Sequence, residues 1–141
     1  MSKDTLAFII LFMVFFNLSA QDILGQWKTI DDNTGDAKSI VEIYEEDGKI
    51  YGKIIAVFNP EVEFRTCNDC SGPHKDQPIV GLVFIEGLKR NNDVYEGGTI
   101  LNPENGKTYR CRLKLEEDTD TLQVRGYLAF FYRTQYWKRV K

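Results

Sequence analysis

Short runs in which apolar and polar residues alternate extend through most of the chain, and turn-forming residues separate them. The alternation is clearest in residues 108–115, TYRCRLKL. Successive side chains of a β-strand point to opposite faces, so this run predicts a strand with one buried face and one solvated face. The side chains predicted to face inward are Tyr109, Cys111, Leu113 and Leu115.

About eight such strands are predicted between Ile23 and the C-terminus, and no segment carries a helical stripe. Asp47-Gly48 separates two of them and indicates a tight hairpin, because glycine readily adopts a positive φ. The other connections are also short, except for the segment from about Asn59 to Pro78. Regular short strands favour a sandwich or a barrel, and closure into a barrel removes exposed edges. We therefore predict an all-β fold, an antiparallel up-and-down barrel of about eight strands.

The first 20 residues have a different pattern. Lys3 precedes an apolar run, Leu6 to Phe16, which leads to Ala20. This is typical of a secretory signal peptide, and the run is short of the roughly 20 apolar residues that span a bilayer. We predict cleavage after Ala20, export to the periplasm or the medium, and a single domain over residues 21–141 with no stable membrane span. The alternative is an uncleaved membrane anchor.

Composition narrows the function classes. Charged residues make up 28% of the chain, aromatic residues 13%, and the net charge is −3. This suits a globular domain, and the mild acidity argues against nucleic acid, whose phosphates require a basic face. No phosphate-binding loop, dinucleotide fingerprint or Gly-x-Ser-x-Gly motif is present. We therefore expect a protein that is not an enzyme and carries no cofactor.

The segment TCNDCSGPHKDQP, residues 66–78, holds two of the three cysteines and the only histidine. Export favours disulfides, so the preferred interpretation is a staple that joins Cys67 to Cys70, or one of them to Cys111. An odd number of cysteines leaves at least one thiol free or paired between molecules. One alternative is a zinc site made of Cys67, Cys70 and His74. Another is a reactive thiol.

The last predicted strand places Arg133, Gln135 and Trp137 on one face. If Trp137 points into the barrel, the other two side chains do so as well. Together with Arg125 on the neighbouring strand and inward-facing Tyr109, they would suit an amphipathic ligand with an anionic head. The alternative is that this face points outward, which would make Arg125, Arg133 and Gln135 ordinary surface residues.

Gly25 and Trp27 on the first strand, with Arg139 on the last, resemble the closure of calycin barrels, the group that includes the lipocalins. In those barrels a Gly-x-Trp motif packs near an arginine. A guanidinium stacked on an indole is worth about 0.5–2 kcal/mol. The resemblance implies that these three residues close a calycin-like, lipocalin-like barrel.

Five ordered blocks carry a more specific resemblance. They are GQWKTIDDNTGDAKSIVEIYE (25–45), GKIYGKI (48–54), CNDCSG (67–72) with KDQPIVGL (75–82), GGTILNPENGKTYRC (97–111), and VRGY (124–127) with RTQYW (133–137). Together they resemble the bacterial domain of unknown function 2147. The resemblance implies a small exported barrel and brings no established reaction, cofactor or catalytic residue. One stretch departs from the glycine-rich pattern of that family, since residues 127–132 read YLAFFY.

These observations favour non-enzymatic binding of a small amphipathic or lipid-like ligand. One alternative is a packed barrel that acts through its surface as a structural or interaction protein of the cell envelope. A second is zinc- or thiol-dependent activity at Cys67, Cys70 and His74. A cavity in the barrel distinguishes the first two, because barrels of about eight strands either fill with side chains or hold one small ligand.

Overall fold

Eight antiparallel strands, each hydrogen-bonded to its neighbours in chain order, close into a barrel in the computed structural model, which describes residues 22–141. Pairing of β1 with β8 completes the closure. The predicted all-β, up-and-down barrel is therefore confirmed, whereas the predicted signal peptide lies outside the described residues. The strands are β1 Gly25–Ile30, β2 Ala37–Glu46, β3 Lys49–Val57, β4 Val83–Asn91, β5 Val94–Asn102, β6 Lys107–Leu115, β7 Thr121–Leu128 and β8 Phe131–Arg139.

The barrel has two different ends. The tight turns β2–β3, β4–β5 and β6–β7 lie at one end, called here the closed end, together with the start of β1 and the end of β8. The other four connections lie at the opposite end, called here the open end. Asp47 and Gly48 form the β2–β3 turn with φ values of 51° and 77°, as the predicted hairpin requires.

The interior is filled by the inward-facing side chains, which are every second residue along each strand. Residues of one parity on successive strands face each other across the ladder, as Leu113 does with Val124 and Leu122 with Trp137. Such cross-strand neighbours stabilise a sheet by packing against one another. The core contains both tryptophans, which are fully or almost fully buried. Its largest buried side chains include Trp27, Trp137, Ile43, Ile85, Leu88, Leu113 and Leu122.

The long β3–β4 connection contains one turn of α-helix, α1 (Pro60–Glu63), and a 3₁₀ turn at Gly72–His74. The sequence predicted no helix here. Asn59 caps α1, since its side chain accepts a hydrogen bond of 3.0 Å from the backbone N–H of Glu61. In the described part of the chain, no helix is long and apolar enough to cross a membrane.

Strand β4 begins four residues later than the sequence pattern predicts. The apolar run from Ile79 was interpreted as its start, but the backbone N–H of Leu82 bonds to the carbonyl of Ile79 at 3.2 Å, which makes a turn. Both side chains are nevertheless buried. The apolar run therefore corresponds to a buried turn where the loop joins β4. A short apolar run alone does not distinguish a strand from a buried turn.

Candidate functional site

Arg139 seals the closed end. Its guanidinium carbon lies 4.3 Å from the centre of the Trp27 ring. Its nitrogens donate to three backbone carbonyls, those of Thr119 at 3.0 Å, Leu24 at 3.2 Å and Asp22 at 2.9 Å. The β6–β7 turn and the start of the barrel are thus joined through one side chain, which fixes this end.

Gly25 and Trp27 complete this arrangement. Gly25 has a φ of 124°, a conformation that side-chain-bearing residues rarely adopt, and a Cβ there would lie 3.7 Å from the Arg139 guanidinium. The indole N–H of Trp27 donates to the carbonyl of Ile23 at 2.9 Å. The structure therefore brings the three residues of the expected closure together.

The inward-facing side chains of β6 and β8 are less buried the closer they lie to the open end. On β8, Trp137 is buried, Gln135 is half-buried and Arg133 is exposed. The same change occurs on β6, where buried Cys111 is followed toward the open end by half-buried Tyr109. The interior is thus packed around Trp137, and the inward-facing side chains become more exposed toward the open end. Phe84 packs beside Trp137 with ring centres 6.1 Å apart, and these two buried rings are called here the aromatic floor.

A chain of polar contacts runs up the inner face of β8. The Trp137 indole N–H donates to Gln135 Oε1 at 3.2 Å, and Gln135 Nε2 donates to Asp32 Oδ2 at 3.3 Å. Arg133 donates to the same carboxylate oxygen and forms an ion pair with it. We call these four side chains the β8 relay. It links the buried floor to a charged pair at the mouth.

Asp32 is the member of the relay that sequence reasoning missed. It lies in the β1–β2 loop, 101 residues from Arg133, and only the pairing of β1 with β8 brings the two together. This pairing is short, with two register pairs, whereas β7 and β8 share eight. Within the described residues, the short ladder between β1 and β8 does not reach the open end. There, the side-chain contacts of Asp32 connect β8 to the β1–β2 loop instead.

The wall beside the relay combines apolar side chains with the hydroxyl group of Tyr109. A Cβ built on Gly126 would lie 3.6 Å from Tyr109 and 3.7 Å from Ile100, so these two side chains surround the bare glycine backbone. The Tyr109 hydroxyl accepts a 3.3 Å hydrogen bond from Asn105. Because Gly126 pairs directly with Arg133, this apolar wall stands beside the charged head of the relay.

The cysteine segment is a stapled loop. Cys67 and Cys70 form a disulfide, and both are buried. Backbone bonds close the loop around them, from Cys67 N–H to the carbonyl of Gln77 at 2.7 Å and from Asp76 N–H to the carbonyl of Cys67 at 3.0 Å. The loop packs on the β5–β6 turn, where a Cβ at Gly106 would overlap the backbone of Asp69. Of the pairings that the sequence left open for the staple, the structure contains Cys67–Cys70, and Cys111 is free.

The disulfide removes the free thiols that both the zinc alternative and the reactive-thiol alternative require. Zinc binds cysteine as a thiolate, and the disulfide leaves neither sulfur in that form. His74 Nε2 instead lies 3.1 Å from Glu86 Oε1. Within residues 22–141, no group of three or more histidine, cysteine, aspartate or glutamate side chains is placed to hold a metal ion.

Comparison with known proteins agrees with the barrel. The model of a family described as "Uncharacterized protein conserved in bacteria (DUF2147)" matches residues 25–139. The chain belongs to this family. A solved structure of protein HP1028 from the human pathogen Helicobacter pylori, described as belonging to the lipocalin family, has a TM-score of 0.74 and 23% identity, and the match covers 86% of this chain and 85% of that one. At that identity the likeness shows the fold alone. No curated protein matches the chain.

In this DUF2147 chain Arg125 lies outside the barrel. It pairs with Thr134, donates to its hydroxyl at 2.8 Å and stacks over Tyr132 at 4.5 Å. The prediction that Arg125 adds a second cation to the interior site is wrong. The physical reason is strand parity, since Val124 and Gly126 on either side of it face inward.

A concavity of about 610 Å³ lies outside the barrel, beside the β6–β7 turn. Three of the polar side chains that line it, Asp118, Thr121 and Lys138, are bonded to each other. Asp118 accepts from the backbone of Asp120 and from the hydroxyl of Thr121, both at 3.0 Å, and Lys138 donates to that hydroxyl at 2.9 Å. These bonds stabilise the turn, so the concavity has a structural explanation and the candidate site remains the open end of the barrel.

Proposed function

We propose that this chain is a non-enzymatic binder of a small amphipathic molecule at the open end of the barrel. The β8 relay carries the proposal, because it places a polar, charged head directly above a buried aromatic floor on one strand. An apolar body would contact Phe84 and the wall at Ile100 and Tyr109, and a polar head would meet Gln135 and Arg133. Lipocalin-like barrels of eight strands can hold one small ligand in this way.

The ion pair within the β8 relay limits which ligand head groups can bind there. Asp32 already neutralises Arg133, so an anionic head must displace this carboxylate before it can pair with the guanidinium. Both partners are substantially exposed, with side-chain exposures of 70% for Arg133 and 40% for Asp32. Exposed ion pairs are worth little, so a ligand carboxylate can compete with Asp32 for bidentate pairing with the arginine.

Titration with a fluorescent fatty acid tests this proposal. We expect Arg133→Ala to weaken binding by roughly two- to fivefold, the loss of one exposed charge-assisted contact. We expect Asp32→Asn to strengthen binding several-fold, since it removes the competing carboxylate while keeping the size of the side chain. The two changes break the same ion pair, so opposite effects on affinity cannot arise from a shared loss of stability.

Arg125→Ala is the matched control for that titration, because Arg125 lies on the adjacent strand but on the outer face. Its affinity for the fatty acid should equal that of the wild-type chain. Equal affinity of the wild-type and Arg133→Ala proteins would overturn the anionic-head proposal. The same weakening in Arg125→Ala and Arg133→Ala would place the fatty acid outside the barrel.

We propose further that residues 1–20 are a signal peptide and that the protein works in the periplasm or outside the cell. The buried Cys67–Cys70 disulfide supports this, since disulfides persist in oxidising compartments and are rare in the cytosol. N-terminal sequencing of the protein recovered from the exporting cell should begin at Gln21. A sequence that begins at Met1 would contradict cleavage.

A further inference from the structure

The β7–β8 turn at the open end exposes several large apolar side chains. Phe130 is 99% exposed and Phe131 is 78% exposed, and both Leu128 and Tyr132 are also exposed. Ala129 has a φ of 53°, a left-handed conformation that hairpin turns normally give to glycine or asparagine. Turn stability therefore does not explain why these residues are present, and an exposed apolar cluster of this kind marks an interaction site.

A basic surface adjoins this turn on the outer face of β6 and β7. Arg112 and Arg125 stand directly opposite each other across the ladder, and Arg110 lies two positions from Arg112 on β6. Like charges in that position repel. Within residues 22–141, none of these three arginines forms an ion pair with a carboxylate. The surface thus has positive charge without an internal counter-ion.

Tyrosines pack against two of these arginines and connect them to the turn. Arg110 lies over the ring of Tyr127 at 5.6 Å, and Arg125 lies over that of Tyr132 at 4.5 Å. The two tyrosines pair across the hairpin with ring centres 5.9 Å apart. The next pair toward the tip is Leu128 with Phe131. By strand alternation this pair points to the opposite face of the hairpin from the two tyrosines, so the apolar tip lies beyond the end of the basic surface and borders it. We call this set the docking face: Arg110, Arg112, Arg125, Tyr127, Leu128, Phe130, Phe131 and Tyr132.

We propose that the docking face binds the surface of an anionic lipid bilayer. Phenylalanines at the tip would enter the boundary between headgroups and acyl chains, as the apolar side chains of interfacial proteins do. Tyrosines suit the headgroup level, and unpaired guanidiniums suit lipid phosphates. The chain as a whole has a net charge of −3, so this local cationic surface would also orient the protein with its open end toward the bilayer.

Vesicle co-sedimentation of the protein recovered from the exporting cell tests this proposal. The vesicles are pure phosphatidylcholine or a mixture with about one quarter phosphatidylglycerol, since each basic residue near an anionic surface adds to binding. We expect binding to the anionic vesicles, weaker binding to the neutral ones and weakening by added salt. All variants are compared in the same processed form, so any contribution of the N-terminal segment cancels.

Two double variants separate the two components of the docking face. Phe130→Ser with Phe131→Ser, and Arg112→Gln with Arg125→Gln, should each reduce partitioning onto anionic vesicles by about tenfold or more. Arg90→Gln is the matched control, because Arg90 also stacks over a tyrosine, Tyr95, at 5.8 Å, but at the closed end. It should bind within about twofold of the wild-type protein, because it removes one exposed charge at the opposite end of the barrel from the docking face. Thermal melts check that every variant is folded.

Three outcomes would overturn the proposal. They are equal binding to neutral and anionic vesicles, unchanged binding in either double variant, and an equal loss in Arg90→Gln. Concentration-dependent self-association that Phe130→Ser with Phe131→Ser abolishes, without vesicle binding, would identify a second copy of the chain as the occupant. The fatty-acid titration without vesicles is independent of these results, so failure of the docking face and failure of the ligand site are distinguishable.

Discussion

Cys111 is a titratable residue in the core of the barrel. It lies inside the barrel on β6, and the structure confirms the inward direction that the alternation in TYRCRLKL predicts. Burial raises the pKa of the Cys111 thiol from its ordinary value of 9.0 to about 12. A thiol with such a high pKa remains protonated at neutral pH, and only the thiolate is a nucleophile. Cys111 is therefore a core residue.

This raised pKa predicts how stability depends on pH. Because the folded-state pKa exceeds the unfolded value, the contribution of Cys111 to stability is complete below pH 9.0 and is lost as pH rises toward about 12. Between neutral pH and about pH 10.5, the wild-type protein should lose about 2 kcal/mol more stability than Cys111→Ala. Denaturant melts at both pH values measure the difference, and an identical loss in the two proteins would contradict it.

The sequence could predict which site residues share a face within one strand, because parity is fixed there, but not how two strands align. Parity within β8 correctly placed Arg133, Gln135 and Trp137 on one face, because side chains alternate strictly along a strand. The relation between neighbouring strands depends on register, which one sequence does not give, and a shift by one residue reverses the face. Arg125 was misplaced for this reason. Asp32 was missed because a loop residue has no parity.

The β3–β4 connection is the element whose stability depends most on covalent chemistry. Its disulfide joins residues three apart in sequence and is buried in a loop that packs on the β5–β6 turn. For a ring this small, the chain-entropy relation gives a stabilisation of about 2 kcal/mol. The sequence indicated the staple from the spacing of the cysteines and the predicted compartment. It did not indicate α1, because one capped turn is too short for a helical pattern.

Reduction tests the role of this staple without changing any other atom. A mild reductant should lower the melting temperature of the wild-type protein by several degrees, equivalent to about 2 kcal/mol. Cys111→Ala should respond in the same way, since it retains the disulfide. The Cys67→Ser, Cys70→Ser double variant should melt lower from the start and show no response. A wild-type melting temperature that is unchanged by complete reduction would contradict a stabilising staple.

The whole molecule has a tightly packed closed end and an open end at which the inward-facing side chains are more exposed. Arg139 and the two buried tryptophans fix the closed end and the core, so the lower barrel acts as a rigid support. The sequence predicted the barrel well, because alternation and turn residues recur in every strand. It did not predict how far up the side chains fill the lumen, since that depends on the volumes of residues from all eight strands.

The central claim is that the upper lumen binds a small amphipathic molecule at the β8 relay. Native mass spectrometry of the unreduced protein, recovered from the exporting cell, tests it most directly. We predict the mass of residues 21–141, two hydrogens lighter for the disulfide, together with a species that carries a co-purified small molecule and is depleted in Arg133→Ala. A bare mass for the wild-type protein, and no uptake of added fatty acid, would contradict the claim and favour a packed barrel that acts through its surface.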